Sequence, residues 1–299
     1  MSLIQTLSGT GVAVITPFHE DGEIDFDSYA RLLDFILTNK AEYIVVLGTT
    51  GEAPVLSRDE KMRLIEYTYK QVNGRVPVVV GIGGNNTKEV VTDLKEFPLS
   101  RAAAVLSVSP YYNKPSQEGL YFHYKAIAEA SPVPVILYNV PGRTGRQIEA
   151  STVLKLANEV ANIAGIKEAS GNMEQCMDIL RSCPSDFLVV SGDDALAVPQ
   201  MACGMHGVIS VAANCFPAEF SGMIRHCMAK EFDEARIINE KLIPAYDLLF
   251  VENNPAGVKA FLTEMGIIKN NLRLPLVPLS RKFYQQVQEY ISKISLLCI

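Results

Sequence analysis

Eight short apolar runs, each followed by an amphipathic stretch, constrain this chain more than any other feature. They are Gly11–Ile15, Tyr43–Leu47, Val76–Val80, Ala103–Leu106, Val133–Leu137, Ile163–Ile166, Phe187–Val190 and Gly207–Val211. Each run is continuously apolar, whereas a strand wetted on one face would alternate, so the pattern predicts parallel strands covered on both sides. The intervening segments carry helix signals. Asp25 precedes a stretch with Tyr29, Leu32, Leu33 and Ile36 on one face, and Ser57-Arg-Asp-Glu60 is a capping box. Further helices are expected over 87–97, 116–130, 149–160, 172–183 and 194–203, the last capped by Asp194. Eight alternating units make an α/β protein, either a closed (β/α)8 TIM barrel or an open doubly wound sheet. The count of eight favours the barrel. No Gly-x-Gly-x-x-Gly opens a helix after the first strand, which weighs against an NAD-linked dehydrogenase.

After Phe216 the strand signal stops. Four helical segments follow, over 216–229, 232–251, 255–265 and 278–295, broken at Asn253-Asn-Pro255 and Leu274-Pro-Leu-Val-Pro278. The 299-residue chain thus exceeds the roughly 250 residues of a plain barrel. We expect a catalytic barrel over 1–225 and a C-terminal helical extension over 226–299 packed on it. A net charge of −6 argues against a nucleic-acid partner. The six cysteines (Cys176, Cys183, Cys203, Cys215, Cys227 and Cys298) form no C-x-x-C pair, and the four histidines are scattered, so free thiols and no metal are expected. No signal peptide or membrane-spanning run is visible, and a cytoplasmic protein is expected.

Barrel chemistry sits at the C-terminal ends of the strands. Lys167 closes the sixth run, Ile163-Ala-Gly-Ile-Lys-Glu-Ala-Ser170. Lysine is rarely buried, and burial disfavours its ammonium, leaving a free amine suited to attack a carbonyl. Taken alone, this lysine reads more simply as a strand-end residue snorkelling to water. Its counterparts decide the matter. The second run ends in Gly48-Thr-Thr-Gly-Glu52, the fourth in Ser109-Pro-Tyr-Tyr-Asn113, the fifth in Tyr138-Asn-Val-Pro-Gly-Arg-Thr144, the seventh in Gly192-Asp-Asp194 and the eighth near Ile209. Tyr138 offers a proton shuttle, Thr49 and Thr50 offer hydroxyls to a carboxylate, and Arg143 offers a bidentate grip on a second one. Singly, each has a plainer reading: a tight turn, packing aromatics, a helix cap, a surface charge. Together at successive strand ends they point to an enzyme that forms a Schiff base.

Three of these stretches, Gly48-Thr-Thr-Gly-Glu52, Tyr138-Asn-Val-Pro-Gly-Arg-Thr144 and Gly165-Ile-Lys-Glu-Ala169, closely resemble the signatures of the dihydrodipicolinate synthase family. That family lies within the pyruvate-dependent class I aldolases that include N-acetylneuraminate lyase. The resemblance extends over essentially the whole chain, through Ser109–Gly119, Ser191–Asp194, Gly207–Val211 and Phe250–Pro255. It implies a lyase that condenses pyruvate with L-aspartate-4-semialdehyde to 4-hydroxy-tetrahydrodipicolinate, the first committed step towards diaminopimelate and lysine. It implies a Schiff base between Lys167 and pyruvate and no cofactor. Thr49, Tyr112 and Tyr138 match the family's proton relay, with Tyr112 reaching into a neighbouring subunit's site. Thr50 and Arg143 match the two carboxylate-binding positions, and Gly192 and Ile209 match positions that line the site. The implied assembly is a homotetramer of two tight dimers.

Asn85, Glu89 and Tyr111 match a cleft where many family members bind lysine. Ala53, Arg58 and Lys61 depart from the lysine-sensitive bacterial pattern, and two added cations would weaken binding of a cationic effector. Two other readings stand beside this one. The first is a superfamily lyase acting on N-acetylneuraminate or a 2-keto-3-deoxy sugar acid, which would share Lys167 and Tyr138. The second is a catalytically silent barrel that serves as a binding protein.

Overall fold

The computed structural model describes residues 2–297, with side chains through residue 293; Cys298 lies outside the described residues. Eight strands form a closed parallel barrel in sequence order, β1 (Gly9–Ala13), β2 (Tyr43–Val46), β3 (Val78–Gly81), β4 (Ala104–Val108), β5 (Val135–Asn139), β6 (Ile163–Glu168), β7 (Leu188–Ser191) and β8 (Gly207–Ser210). Closure is made by β8 on β1, where Gly9 pairs with Gly207 and Val12 with Ser210. The open doubly wound sheet is thereby excluded. The strands lie within two residues of the apolar runs at each end.

Helices α2 (Phe26–Thr38), α3 (Arg58–Val72), α4 (Thr87–Glu96), α5 (Gln117–Ala130), α7 (Ala150–Glu159), α8 (Met173–Ser182), α9 (Ala197–Ala202) and α10 (Pro217–Met228) follow the successive strands. Two short helices were not legible in the sequence: α1 (Leu3–Leu7) and α6 (Pro141–Thr144). Leu7 joins the residues inside the barrel. The caps behave as their chemistry requires. Asp25 accepts from the Ser28 N–H, and Ser57 and Glu60 close a reciprocal capping box at the start of α3.

Why the strands lack alternation is now evident. Val45, Val79, Leu106, Ile136 and Val190 fill the barrel interior, while Ile44, Val80, Val105, Leu137 and Val189 face the helices. Both faces are dry, so both are apolar. One irregularity matters for the site. Val135 pairs with Ile163 and Ile136 with Gly165, so Ala164 is skipped. Ile163 and Ile166 both face the helices. Strict alternation from Ile163 would send Lys167 outward as well; the skipped residue reverses the parity and turns Lys167 inward.

The extension comprises α11 (Phe232–Phe250), α12 (Ala256–Glu264) and α13 (Arg281–Leu297). The division expected at 225/226 falls within α10. The last helix begins at Arg281, later than expected at 278, after the Leu274–Pro278 stretch. The extension is tied to the barrel by Arg273, whose guanidinium forks onto the Glu60 carboxylate and also donates to the Gly22 and Val55 carbonyls. Hydrogen bonds from Arg273 hold the Glu60 carboxyl down at about 2, against an ordinary 4.5. A carboxyl lowered on folding lends stability that is complete above its unfolded pKa and lost as pH falls from 4.5 towards 2. We expect Glu60→Gln to lower stability by about 2–3 kcal/mol at neutral pH, and the gap to close towards pH 2. Urea melts of both proteins across that range would test this; an offset independent of pH would contradict it.

Candidate active site

The site is built from strand ends inward. In register, Tyr138 of β5 sits directly beside Lys167 of β6. Lys167 is 4% exposed, and its Nζ lies 4.4 Å from the centroid of the Tyr138 ring, itself only 7% exposed. Gly192, just past β7, makes room for this lysine. A Cβ there would stand 2.7 Å from Lys167 Cε and 2.7 Å from Ala169 Cβ. The Gly192 N–H donates to the Glu168 carbonyl at 2.7 Å, which binds the two strand ends together.

These groups open onto a cavity of ≈ 650 Å³, whose wall includes Thr49, Thr50, Tyr138, Arg143, Lys167 and Gly192. Thr49 and Thr50 occupy a single 3-10 turn (Thr49–Gly51) after β2. Thr50 is buried, and its hydroxyl accepts from Asn254 Nδ2 at 3.0 Å. Arg143 stands exposed on α6 at the rim and has no ion pair among the described residues. A second cavity of ≈ 330 Å³ shares Thr49, Tyr138 and Arg143 with the first and continues to Tyr111 and Lys61. An amine, a phenol and two hydroxyls line one cavity, with a guanidinium at its edge. Such a set can form an imine with a keto acid, shuttle protons around it and hold carboxylates.

Not every expected residue converges here. Ile209 is 1% exposed and packs inside the barrel with Ala13, Tyr43 and Val190. Tyr112 is 90% exposed, has a φ of +71°, and lines neither cavity. Asn85 donates to the Tyr111 carbonyl at 3.1 Å, while Glu89 lines an adjoining hollow with Arg58, Lys61 and Lys88. Arg58 is already neutralised there by Asp93 and Glu96, each at 2.8 Å, so of the two added cations only Lys61 is without an ion pair among the described residues.

Other residues of the site were missed or misread. Asp194 does not cap the following helix; Asp193 accepts from Ala195 and Leu196, while Asp194 accepts from the N–H groups of Val211 and Ala212. Asp194 lines the main cavity, close enough to Lys167 for their charges to interact, and burial pushes its carboxyl up to about 6. Glu168, fully buried beside Lys167, accepts from Asn139, Ser170 and Gln175. Asn254 was visible only as part of a helix break and of the Phe250–Pro255 stretch that carries the resemblance. Neither signal indicates a partner in the turn after β2. Among the described residues, no group of three or more His, Cys, Asp or Glu side chains is arranged to hold a metal, and no helix is long and apolar enough to cross a membrane. The five described cysteines are free.

Known proteins resemble this chain along nearly its whole length. A 4-hydroxy-tetrahydrodipicolinate synthase of Parabacteroides distasonis is 49% identical over 292 residues, covering 98% of each chain. The crystal structure of dihydrodipicolinate synthase from Aquifex aeolicus superposes with a TM-score of 0.94 at 40% identity, covering 97% of this chain and 99% of that one. Dihydrodipicolinate synthase from Cyanidioschyzon merolae, solved with lysine bound, superposes with a TM-score of 0.93 at 36% identity over 99% and 100% of the two chains. The model of the dihydrodipicolinate synthetase family matches residues 6–294. A closed barrel with a buried lysine against a tyrosine, and likeness along nearly its full length, make this chain a member of the dihydrodipicolinate synthetase family.

Proposed function

We propose that this protein is a lyase that condenses pyruvate with L-aspartate-4-semialdehyde to give 4-hydroxy-tetrahydrodipicolinate, through a Schiff base on Lys167. The observation that carries the reading is the buried amine of Lys167, 4.4 Å from the Tyr138 ring in a cavity shared with Thr49, Thr50 and Arg143. Lys167 Nζ adds to the keto carbon of pyruvate, and loss of water gives the imine. Loss of a methyl proton gives the enamine, whose terminal carbon bonds to the aldehyde carbon of the semialdehyde. The semialdehyde's amine then displaces Lys167 from the imine carbon, which closes the ring and returns the free lysine.

Proton traffic in these steps falls to Tyr138, Thr49 and Tyr112 of a second copy. Thr50 holds the pyruvate carboxylate, and Arg143 holds that of the semialdehyde. Gly192 shapes the wall beside the imine, and Ile209 supports it from the barrel interior. The catalytic barrel runs through α10, and the helical extension that follows supports it. The assembly is a homotetramer of two tight dimers working in the cytoplasm. No cofactor is required, since the covalent link to pyruvate does the electronic work.

The test is borohydride reduction in the presence of pyruvate, with peptide mapping to Lys167, beside a coupled assay with the semialdehyde. Pyruvate release from N-acetylneuraminate should be undetectable. Because Arg143 stands at the rim while Lys167 lies inside, Arg143→Ala should raise KM for the semialdehyde by about 10–100-fold, a lost charge-assisted contact, and leave pyruvate trapping nearly unchanged. Equal losses for both substrates would contradict that assignment.

The cleft of Asn85, Glu89 and Tyr111 we propose as a weak lysine site. Lys61 borders the hollow next to it and repels a second cation. Inhibition should be weak or absent in a lysine titration, and submillimolar inhibition would contradict this.

A further inference from the structure

Lys259 belongs to α12, outside the barrel, yet it is fully buried. Its Nζ lies 2.5 Å from Glu52 Oε1, donates to the Asn271 carbonyl at 2.8 Å, and sits 4.2 Å from the centroid of the Phe18 ring. The Glu52 side chain is equally buried, and its other oxygen accepts from the Arg273 N–H at 3.2 Å. Burial pulls the Lys259 ammonium down to about 8, with Glu52 opposing that pull. A buried ion pair is a poor device for stability alone, because apolar side chains of similar size often serve as well. This pair therefore calls for a reason beyond packing.

The reason lies in what Glu52 terminates. It ends the turn that carries Thr49 and Thr50, and its N–H donates to the Thr49 carbonyl at 3.1 Å. Its φ is +54°, in the left-handed region that a side-chain-bearing residue enters only when its surroundings hold it there. The turn is also gripped by Thr16, which donates to the Gly51 carbonyl at 2.7 Å, and by Asn254 on the Thr50 hydroxyl. Neither Glu52 nor Lys259 lines the cavity, so neither touches substrate.

We propose that Lys259 is a positioning residue: its ion pair with Glu52 locks the turn that aims the Thr49 and Thr50 hydroxyls at pyruvate on Lys167. The inference rests on the reading of Thr50 as the carboxylate-binding residue. It makes the C-terminal extension a working part of the pyruvate site, although the extension supplies none of the reacting groups.

The experiment measures the pyruvate concentration that half-saturates borohydride trapping on Lys167, with thermal melts of the same samples. Two variants are compared with the wild type. Glu52→Leu with Lys259→Met removes both charges and leaves neither unpaired. Glu52→Gln keeps the side chain's size but removes the charge and one of the two acceptor oxygens that face Lys259 and the Arg273 N–H. A folded double variant should need on the order of tenfold more pyruvate, the penalty of a slightly misplaced group, with its maximal trapping retained. Glu52→Gln should show a smaller rise of about threefold in the same direction. A variant that melts normally and half-saturates at the wild-type concentration overturns the proposal. So does failure of both variants to fold, because the pair would then be a requirement of the fold. If the wild type itself traps no pyruvate, the underlying reading of the site falls instead.

Discussion

Replacing Lys167 with alanine should abolish pyruvate trapping and lower turnover by about 10⁴-fold or more, while the protein remains folded. The size follows from the proposed mechanism, in which both covalent intermediates are bonded to this nitrogen. No neighbour can substitute: Tyr138 and the two threonines offer hydroxyls, and Arg143 sits at the rim with a guanidinium that does not deprotonate. Folding should survive because the side chain borders a cavity that truncation merely enlarges, and Asp194, the buried acid that feels its charge, keeps the N–H groups of Val211 and Ala212. Near-UV circular dichroism checks the fold, and mass analysis after reduction checks the chemistry. Turnover within a hundredfold of wild type would show that the Schiff base is not on the reaction path.

Dissociation into single chains should lower turnover by at least about 10²-fold, because each site would lose a proton-transfer group. Tyr112, the third member of the proposed relay, is 90% exposed on its own chain and lines neither cavity. An aromatic residue at φ +71° carries backbone strain of about 1–3 kcal/mol. The loop holding it is braced from behind, with Asn85 on the Tyr111 carbonyl and Asn113 on the Asn85 carbonyl. This is the arrangement expected of a ring presented to a second copy. Tyr112→Phe should cost about 10²-fold, the worth of one proton-transfer group. Mixed dimers of Lys167→Ala and Tyr112→Phe chains should regain activity, because one of their two sites then holds both native groups. Sedimentation velocity alongside activity at falling concentration completes the test. A monomer of full activity, or mixtures no better than their parents, would overturn it.

Much of this was legible in the sequence, for a physical reason. Strands buried on both faces show as unbroken apolar runs, so the barrel and the residues at its strand ends could be placed in order. Two kinds of feature could not be read. The first is direction. Ala164 looks like any small strand residue, yet skipping it in the ladder turns Lys167 inward. The second is pairing across distance. Lys259 reads as the polar position of an amphipathic helix, but Ala256–Leu262 are all buried, so the helix has no wet side for a lysine to use. Likewise Glu52 reads as a helix-start acid, and Asp194 as a cap, until the backbone brings α12 and the end of β8 to them. The sequence pattern reports which faces are dry; it does not report which polar groups meet across them.

Tying the Thr49–Thr50 turn to the C-terminal extension also sets a clock. Asn254 lies 204 residues after the threonine it holds, and Arg273 lies 213 after Glu60. At a synthesis rate of 5–20 residues per second, the turn emerges some ~10–40 s before the partner that steadies it. Lys167 emerges 87 residues before Asn254, so for the last ~4–17 s of that interval the chain carries the proposed nucleophile while the proposed carboxylate-binding turn is not yet steadied. Fragments released before Asn254 is made should therefore be poor at capturing keto acids, and the proposed nucleophile becomes an efficient one only once the C-terminal extension is in place.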